Sequence, residues 1–271
     1  MARQRLGVLI VHGFTSSLDC VSSVQTPIQQ LGLPTRMPVL RGHGAASPEA
    51  LRGVTWRDWV ADAHGALEDL LLEAEKVVIF GHSMGGLVAL TLAADRPLAI
   101  DSLVLAAAAV QLATPVAPGR PLSFLAPLMA RLLKKWDMPP KYADPMLAQF
   151  DTNYDWAPLD AALSLAEFSG VTRQRLREVS VPALILQSRR DTTVLPKSAE
   201  IIYSGISTPA EQKRIVWFEE TEHEMFRDCE RGAVTSEVVA YVQERAGLGT
   251  QRGLAGLQTD GTGLEPGMER A

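Results

Sequence analysis

The chain has 271 residues, of which 46% are hydrophobic and 21% are charged, and its formal net charge is −5. That length suits one α/β domain with an insertion, and the negative charge, without an arginine–lysine stripe, argues against nucleic acid as a partner. Two cysteines, Cys20 and Cys229, provide no disulfide framework, and no apolar stretch of 18 residues occurs. These features predict a soluble, cytoplasmic protein without stable membrane insertion.

The first predicted strand is the run Gly7-Val8-Leu9-Ile10-Val11, which ends in His12-Gly13-Phe14-Thr15. A short extended piece over residues 35–39 and a loop with two glycines follow. A helix is predicted from Thr55-Trp56-Arg57-Asp58, because a threonine followed three residues later by an acid satisfies the free N–H groups at a helix start. Its apolar residues recur at helical spacing and form one face: Trp59, Val60, Ala63, Leu67, Leu70 and Leu71.

The pattern Gly81-His82-Ser83-Met84-Gly85 follows the apolar run Lys76-Val77-Val78-Ile79-Phe80 and precedes a helix-forming stretch over residues 87–94. G-x-S-x-G alone is a weak pattern, but between a strand and a helix it is typical of a turn that lifts a nucleophilic serine out of a sheet. The N-terminus of the following helix directs free N–H groups toward an oxyanion on a substrate. The arrangement predicts Ser83 as a nucleophile.

Further strands are predicted over residues 100–105, 183–187 and 214–218, and a closing helix over about 228–245. Alternating strands and helices predict a mostly parallel sheet of about six strands with helices on both faces. The proline-rich region 111–166 breaks the alternation, and an excursion of that length is rare in a compact domain unless it forms a lid. We predict a core of residues 1–110 and 167–245, a helical cap of residues 111–166, and a disordered, glycine-rich tail of residues 246–271.

Three motifs together carry a resemblance to a known superfamily: His12-Gly13-Phe14-Thr15, Leu40-Arg41-Gly42-His43-Gly44 and Gly81-His82-Ser83-Met84-Gly85-Gly86. From about residue 7 to about residue 242 the chain resembles the α/β-hydrolases, and more narrowly the small bacterial carboxylesterases and monoacylglycerol lipases. The likeness is thin over residues 111–166. Two positions depart from the family pattern, because Ser16 replaces a frequent glycine and Thr221-Glu222 replaces a frequent Ser-Gly pair. The resemblance implies the α/β-hydrolase fold and a serine mechanism.

In an α/β-hydrolase the catalytic residues follow the chain order Ser, acid, His. His223 is the only histidine after Ser83 and follows the last predicted strand, so it is the predicted base. Asp191 is the only carboxylate in the loop after the strand over residues 183–187, so it is the predicted acid. Three aspartates of the cap region are alternative acids: Asp151, Asp155 and Asp160.

The resemblance also implies an oxyanion hole, formed by the backbone N–H groups of Phe14 and Met84. His12 and His82 flank this site, and we interpret both as structural residues rather than catalytic ones. Two carboxylates, Glu222 and Glu224, flank His223 and favour its protonated form if their side chains lie close to the ring.

The apolar residues of the cap predict an acyl pocket, with Leu128 and Leu132 as substrate-binding residues. Neither a metal-ligand pattern nor a phosphate-binding glycine loop occurs, so we expect no metal and no cofactor. The predicted activity is hydrolysis of carboxylic esters, and the resemblance implies short to medium acyl chains, including those of monoacylglycerols. Other chemistry on the same triad (hydrolysis of carbon–carbon bonds or acyl transfer) and a slow-turnover ligand-binding module are the alternatives. The sequence leaves the oligomeric state open.

Overall fold

Six parallel strands form the central sheet of this computed structural model, which describes residues 3–114 and 133–248. The described strands are, in chain order, β1 (Gln4–Val11), β2 (Thr35–Arg36), β3 (Ala74–His82), β4 (Ile100–Ala106), β5 (Lys135–Asp137), β6 (Trp156–Pro158), β7 (Ala183–Ser188) and β8 (Lys213–Phe218). The sheet order is β2-β1-β3-β4-β7-β8, with every neighbouring pair parallel. The predicted α/β-hydrolase sheet is confirmed.

The α-helices of the described residues are α1 (Ser22–Gln30), α2 (Trp56–Leu71), α3 (Met84–Asp95), α4 (Leu159–Arg175), α5 (Lys197–Gly205) and α6 (Arg231–Ala246). Helix α2 begins at the predicted capping box, in which the backbone N–H of Thr55 donates to the Asp58 carboxylate over 2.9 Å. Within the described part of the chain, no helix is both long enough and apolar enough to cross a membrane.

The core lies on both faces of the sheet, because successive strand residues point in opposite directions. On β3, Val77 and Ile79 pack into one apolar cluster, while Val78 and Phe80 pack into the other. The first cluster includes buried residues of α2, α3, α4 and α5, and the second includes buried residues of α1 and α6. The sheet is therefore covered on both sides, as the alternation of strands and helices predicts.

The described part of the cap region contains an antiparallel ribbon, in which β5 pairs with β6, besides its helical segment. Helix α4 continues through the predicted boundary between residues 166 and 167, so one helix spans the end of the cap and the start of the core. Trp56 of α2 anchors this helix: its ring stacks on Phe168 at 5.0 Å, and its backbone N–H donates to the Ser164 hydroxyl over 2.8 Å.

Because the strands are parallel, their carboxyl ends share one edge of the sheet, where ligands of open α/β folds bind. The loops that leave β1, β3, β7 and β8 therefore meet there. They carry Phe14, Ser83, Asp191 and His223 respectively.

Candidate active site

Ser83 occupies a strained turn between β3 and α3. Its backbone has φ 54° and ψ −114°, a conformation that favours glycine over residues with a side chain. Its N–H donates to the carbonyl oxygen of Ala106 over 2.9 Å, and its carbonyl oxygen accepts from Gly86 and Ala109. The conformation itself costs about 1–3 kcal/mol, and these hydrogen bonds help to offset that cost.

The glycines around Ser83 allow the backbones of this turn to approach closely. A Cβ on Gly81 would lie 2.2 Å from the carbonyl oxygen of Gly85, and a Cβ on Gly85 would lie 2.2 Å from that of Val11. Both contacts are with backbone atoms, which cannot move aside as a flexible side chain does. The G-x-S-x-G pattern is thus a packing requirement of the turn.

The structure brings the side chains of Ser83, His223 and Asp191 into one hydrogen-bonded chain. His223 Nε2 lies 3.1 Å from Ser83 Oγ, and His223 Nδ1 lies 2.9 Å from Asp191 Oδ2. The other carboxylate oxygen of Asp191 accepts from the backbone N–H groups of Thr193 and Val194, while Oδ2, besides contacting the imidazole, accepts from the Gln187 amide over 3.2 Å. With Nδ1–H donating to Asp191, Nε2 is the acceptor for the serine hydroxyl.

The electrostatic surroundings of His223 favour its charged form. Burial opposes protonation, but the carboxylate and hydrogen bond of Asp191, with the charges of Glu224 and Glu222, raise the pKa of His223 to about 9. The expectation that the flanking glutamates favour the imidazolium therefore agrees with the geometry. Burial also raises the pKa of Glu224 above its ordinary value.

The backbone N–H groups of Phe14 and Met84 lie at the starts of two turns beside Ser83. Met84 is the first residue of α3, where N–H groups have no acceptor within the helix. The turn after Phe14 is fixed by Thr15, whose φ is 60° and whose N–H donates to His43 Nε2 over 3.2 Å. Among the described residues, no acceptor contacts the Phe14 N–H.

The hydrogen bonds of the three other buried histidines are those of neutral imidazole rings. His12 accepts from the Leu40 N–H through Nε2 and donates to the Gly13 carbonyl through Nδ1, and His82 donates through Nε2 to the carbonyl oxygen of His223. Burial lowers the pKa of His12 to about 4, and those of His43 and His82 to about 3. The structural interpretation of His12 and His82 agrees with these contacts.

A cavity of about 460 Å³ opens beside Ser83 and His223. Its described apolar lining includes Leu112, Trp136, Met138, Leu159, Leu163 and Leu165. The loops of the sheet form one wall, and residues of the cap region form another. A cavity of this size and composition suits a small ligand with an apolar portion.

The cavity also has a polar portion next to His223. Asn153 Nδ2 donates to Glu224 Oε1 over 3.0 Å, while the buried Oδ1 of Asn153 has no partner among the described residues. Arg227 pairs with both Glu224 and Asp151, so neither carboxylate is free of a cation. Asn153 is thus a polar residue of the cavity lining whose amide oxygen is buried without a partner.

None of the three alternative acids contacts His223. Asp151 pairs with Arg227, Asp160 accepts from the backbone N–H of Gly53 over 2.8 Å, and Asp155 is exposed. Leu128 and Leu132, the predicted substrate contacts, lie outside the described residues. In the described ranges no group of three or more His, Cys, Asp and Glu side chains is arranged to hold a metal ion.

Sequence reasoning missed two features of the loop that carries His223. Asp228 is fully buried, and its carboxylate accepts from the backbone N–H groups of Ala143, Asp144, Glu222 and Cys229. Asn153 contacts this loop from the cap region, and Arg227, within the loop, pairs with both Glu224 and Asp151. No local pattern marks either feature, because the contacts with Ala143, Asp144, Asp151 and Asn153 come from a distant part of the chain.

The parallel sheet, the serine turn and the cavity at the carboxyl edge define an α/β-hydrolase. A model of the serine aminopeptidase S33 family matches residues 2–230. The chain belongs to this family of hydrolases.

Curated relatives and solved structures agree with that assignment. The chain is 27% identical over 248 residues to a thermostable monoacylglycerol lipase of Bacillus sp. strain H-257, which covers 89% of this chain and 92% of the relative. It is 26% identical over 240 residues to a carboxylesterase of Bacillus subtilis strain 168, covering 88% and 92% respectively. A structure described for the metagenome-derived lipolytic enzymes LipS and LipT superposes with a TM-score of 0.80 at 25% identity, covering 90% and 95%. The resemblance to bacterial carboxylesterases and monoacylglycerol lipases is confirmed.

Proposed function

We propose that the protein is a serine esterase that hydrolyses carboxylic esters through Ser83, His223 and Asp191. The observation that carries the proposal is the hydrogen-bonded chain from Ser83 Oγ through His223 to Asp191 Oδ2, with distances of 3.1 and 2.9 Å, at the wall of an apolar cavity. Membership of a hydrolase family and the two relatives named as esterase and lipase support it.

In the first half of the reaction, Ser83 Oγ attacks the ester carbonyl while His223 Nε2 takes its proton. Asp191 holds the imidazole in the required tautomer and stabilises the imidazolium. The carbonyl oxygen becomes anionic and accepts from the N–H groups of Phe14 and Met84. The carbon–oxygen bond to the alcohol then breaks, and His223 returns the proton to the leaving oxygen.

In the second half, water attacks the acyl–serine ester. His223 takes a proton from the water, the hydroxyl joins the acyl carbon, and the same N–H groups stabilise the second oxyanion. Collapse of this intermediate releases the carboxylic acid and restores the hydroxyl of Ser83. The enzyme emerges unchanged without a metal or cofactor taking part in any of these steps.

The cavity supports a substrate with an apolar acyl chain and a polar alcohol. The leucine and methionine side chains of the lining suit a short to medium acyl chain, with Leu128 and Leu132 of the cap as further proposed contacts. The lining also includes polar residues, among them Asn153 and Thr193, which suit an alcohol that carries a second hydroxyl, as a monoacylglycerol does. The two free thiols support a reducing, cytoplasmic location.

Labelling with a fluorophosphonate, followed by turnover of p-nitrophenyl esters from acetyl to palmitoyl, tests this function. We expect the wild type and the exposed-serine control Ser236→Ala to label and to hydrolyse esters. Ser83→Ala should lose labelling and retain at most a rate enhancement of ~10³ over water, from binding and the oxyanion hole. Wild-type turnover by purified Ser83→Ala would exclude the proposed nucleophile.

The same assay separates the alternatives. A ligand-binding module would label at Ser83 without sustained ester turnover, and an acyltransferase would yield mainly the new ester when an added alcohol competes with water. A carbon–carbon hydrolase would cleave a diketone in preference to every ester of the series. An aminopeptidase would prefer aminoacyl anilides, but the buried carboxylates Asp151 and Glu224 that would hold a free amine are already paired with Arg227.

A further inference from the structure

Glu222, the residue before His223, connects the two loops that carry the proposed acid and base. Its side chain is buried, with 8% of the residue exposed. One carboxylate oxygen accepts from the backbone N–H of Thr192 over 2.8 Å and from the hydroxyl of the same threonine. The other oxygen accepts from the backbone N–H of His223.

These contacts join segments that are about thirty residues apart in sequence. Thr192 directly follows Asp191 in the loop after β7, whereas His223 lies in the loop after β8. A single carboxylate therefore links the residue after the acid to the base itself. No other side chain among the described residues accepts hydrogen bonds from both positions.

The charge of Glu222 has no cationic partner among the ion pairs of the described residues. Three hydrogen-bond donors contact the carboxylate in place of water, and such bonds offset the cost of burying it. The charge of Glu222 acts on the ring of His223, because it is one of the charges that raise the pKa of that ring. The negative charge thus lies where an imidazolium forms in each half of the reaction.

We propose that Glu222 is a positioning residue for ester hydrolysis, which fixes the separation of Asp191 and His223 and stabilises the imidazolium. This inference rests on the proposed function. A glutamine at position 222 would fill the same volume, but its NH₂ group would face a backbone N–H, so one of the two links would be lost. An aspartate would keep the charge, but its shorter side chain would not span both loops.

Several other groups set the charge around His223 and belong in the interpretation of any pH profile. Asp191 and Glu224 carry negative charge, and Arg227 is paired with Glu224. His82, neutral and buried, has its ring 5.2 Å from that of His223. From the cap region, Lys141 lines the same cavity.

The test compares Glu222→Gln, Glu222→Asp and the control Glu220→Gln, whose side chain is 64% exposed and pairs with Arg190. We measure kcat, KM and the pH dependence of kcat/KM with one p-nitrophenyl ester that the wild type hydrolyses. For Glu222→Gln we expect a loss of kcat on the order of 10- to 100-fold, KM near that of the control, and an acid limb displaced to lower pH. Glu222→Asp should lower kcat while its acid limb stays near that of the wild type.

A folded Glu222→Gln with the kcat and acid limb of the control would overturn the proposal. If Glu222→Gln does not fold, Glu222→Asp decides, because wild-type kcat in that variant would show that spanning both loops has no effect on the reaction. A wild-type enzyme that hydrolyses no ester would contradict the proposed function instead. The two failures are therefore distinguishable in the same series of measurements.

Discussion

The turn that carries Ser83 and the loop that carries His223 meet at one edge of the sheet, but different interactions fix them. Around Ser83 the backbones of the turn, β1 and β3 approach so closely that a single Cβ at Gly81 or Gly85 would lie 2.2 Å from a carbonyl oxygen. The turn is held by close packing of backbone atoms and by backbone hydrogen bonds, and it contains no charged side chain. Added volume is the change to which it is most sensitive.

The loop over residues 219–230 is held instead by buried and half-buried carboxylates that accept backbone N–H groups. Glu222 accepts from Thr192 and His223, Asp228 accepts from both the cap region and its own loop, and Glu230 accepts from Thr221 over 2.8 Å. Loss of charge, rather than added volume, is the change that should loosen this loop. The comparison teaches that Ser83, the proposed nucleophile, is positioned mainly by close backbone packing, and His223, the proposed base, mainly by charge.

The largest effect should follow from Gly85→Ala, because the new methyl group would overlap the carbonyl oxygens of Val11 and His12. We expect loss of ester turnover and a destabilisation of about 3 kcal/mol, or on the order of 10 °C in Tm. Thermal denaturation and an ester assay measure both. Gly65→Ala is the matched control, since a Cβ there meets nothing within 4 Å and should stabilise helix α2 by about 0.5–1 kcal/mol. An active Gly85→Ala with wild-type Tm would refute steric control of the turn.

Asp191→Asn should keep the fold and lower kcat by about 10²–10⁴, because the amide favours the wrong imidazole tautomer. Kinetics on a p-nitrophenyl ester, with circular dichroism as the folding check, provide the measurement. Asp155→Asn is the control, because that aspartate is exposed and distant from His223 in the contacts described. If Asp191→Asn retained full activity while Asp155→Asn or Asp160→Asn lost it, the acid would have to be reassigned.

Asp228→Asn should lower the free energy of unfolding by about 1–3 kcal/mol, because an NH₂ group would face backbone donors in a fully buried site. Burial opposes ionisation of Asp228, but the N–H groups of Ala143, Glu222, Cys229 and Asp144 hold its pKa below the ordinary value. Urea denaturation of this variant beside Asp69→Asn, an exposed position of α2, measures the difference. Equal urea midpoints of unfolding for the two variants would show that the charge of Asp228 does not stabilise the loop.

The smallest expected effect concerns the wild-type protein, whose pH profile should be displaced from that expected for an unperturbed imidazole. The active form needs neutral His223, so kcat/KM should rise with pH as the imidazolium loses its proton. Because the pKa of His223 is raised to about 9, the acid limb should have its midpoint well above the 6.5 of an unperturbed imidazole. Stopped ester assays across pH 5 to about 10 record it. A midpoint at or below 6.5 would mean that the carboxylates do not act on the ring.

Sequence patterns predicted the elements whose signal is local. Three such elements are the capping box at Thr55, the apolar core strand β3 and the serine turn. Each depends on residues within a few positions of one another, and the structure places all three as predicted. Helix α1 gave no such signal, because Pro27 lies inside it and proline normally interrupts a helix. The predicted extended piece over residues 35–39 pairs only at Thr35–Arg36, since Pro38 has no N–H to donate.

The site divides in the same way. Ser83, Asp191 and His223 follow from motif and chain order, and the structure brings their side chains together. The contacts of Asp228 with Ala143 and of Glu222 with Thr192 could not be foreseen, because these partners come from other segments and depend on tertiary structure. The ribbon of β5 and β6 also escaped prediction, because strands of three residues carry almost no periodicity.

The backbone conformation of Ser83 has a consequence for how selection acts on this chain. At φ 54° and ψ −114°, stability alone favours glycine, so a serine at this turn is at odds with the backbone preference of the fold. A Ser83→Gly chain should be inactive and yet have a higher Tm than the wild type, which differential scanning calorimetry would measure. If Ser83 is the nucleophile, as proposed, the demands of catalysis and of stability compete at a single residue of this turn.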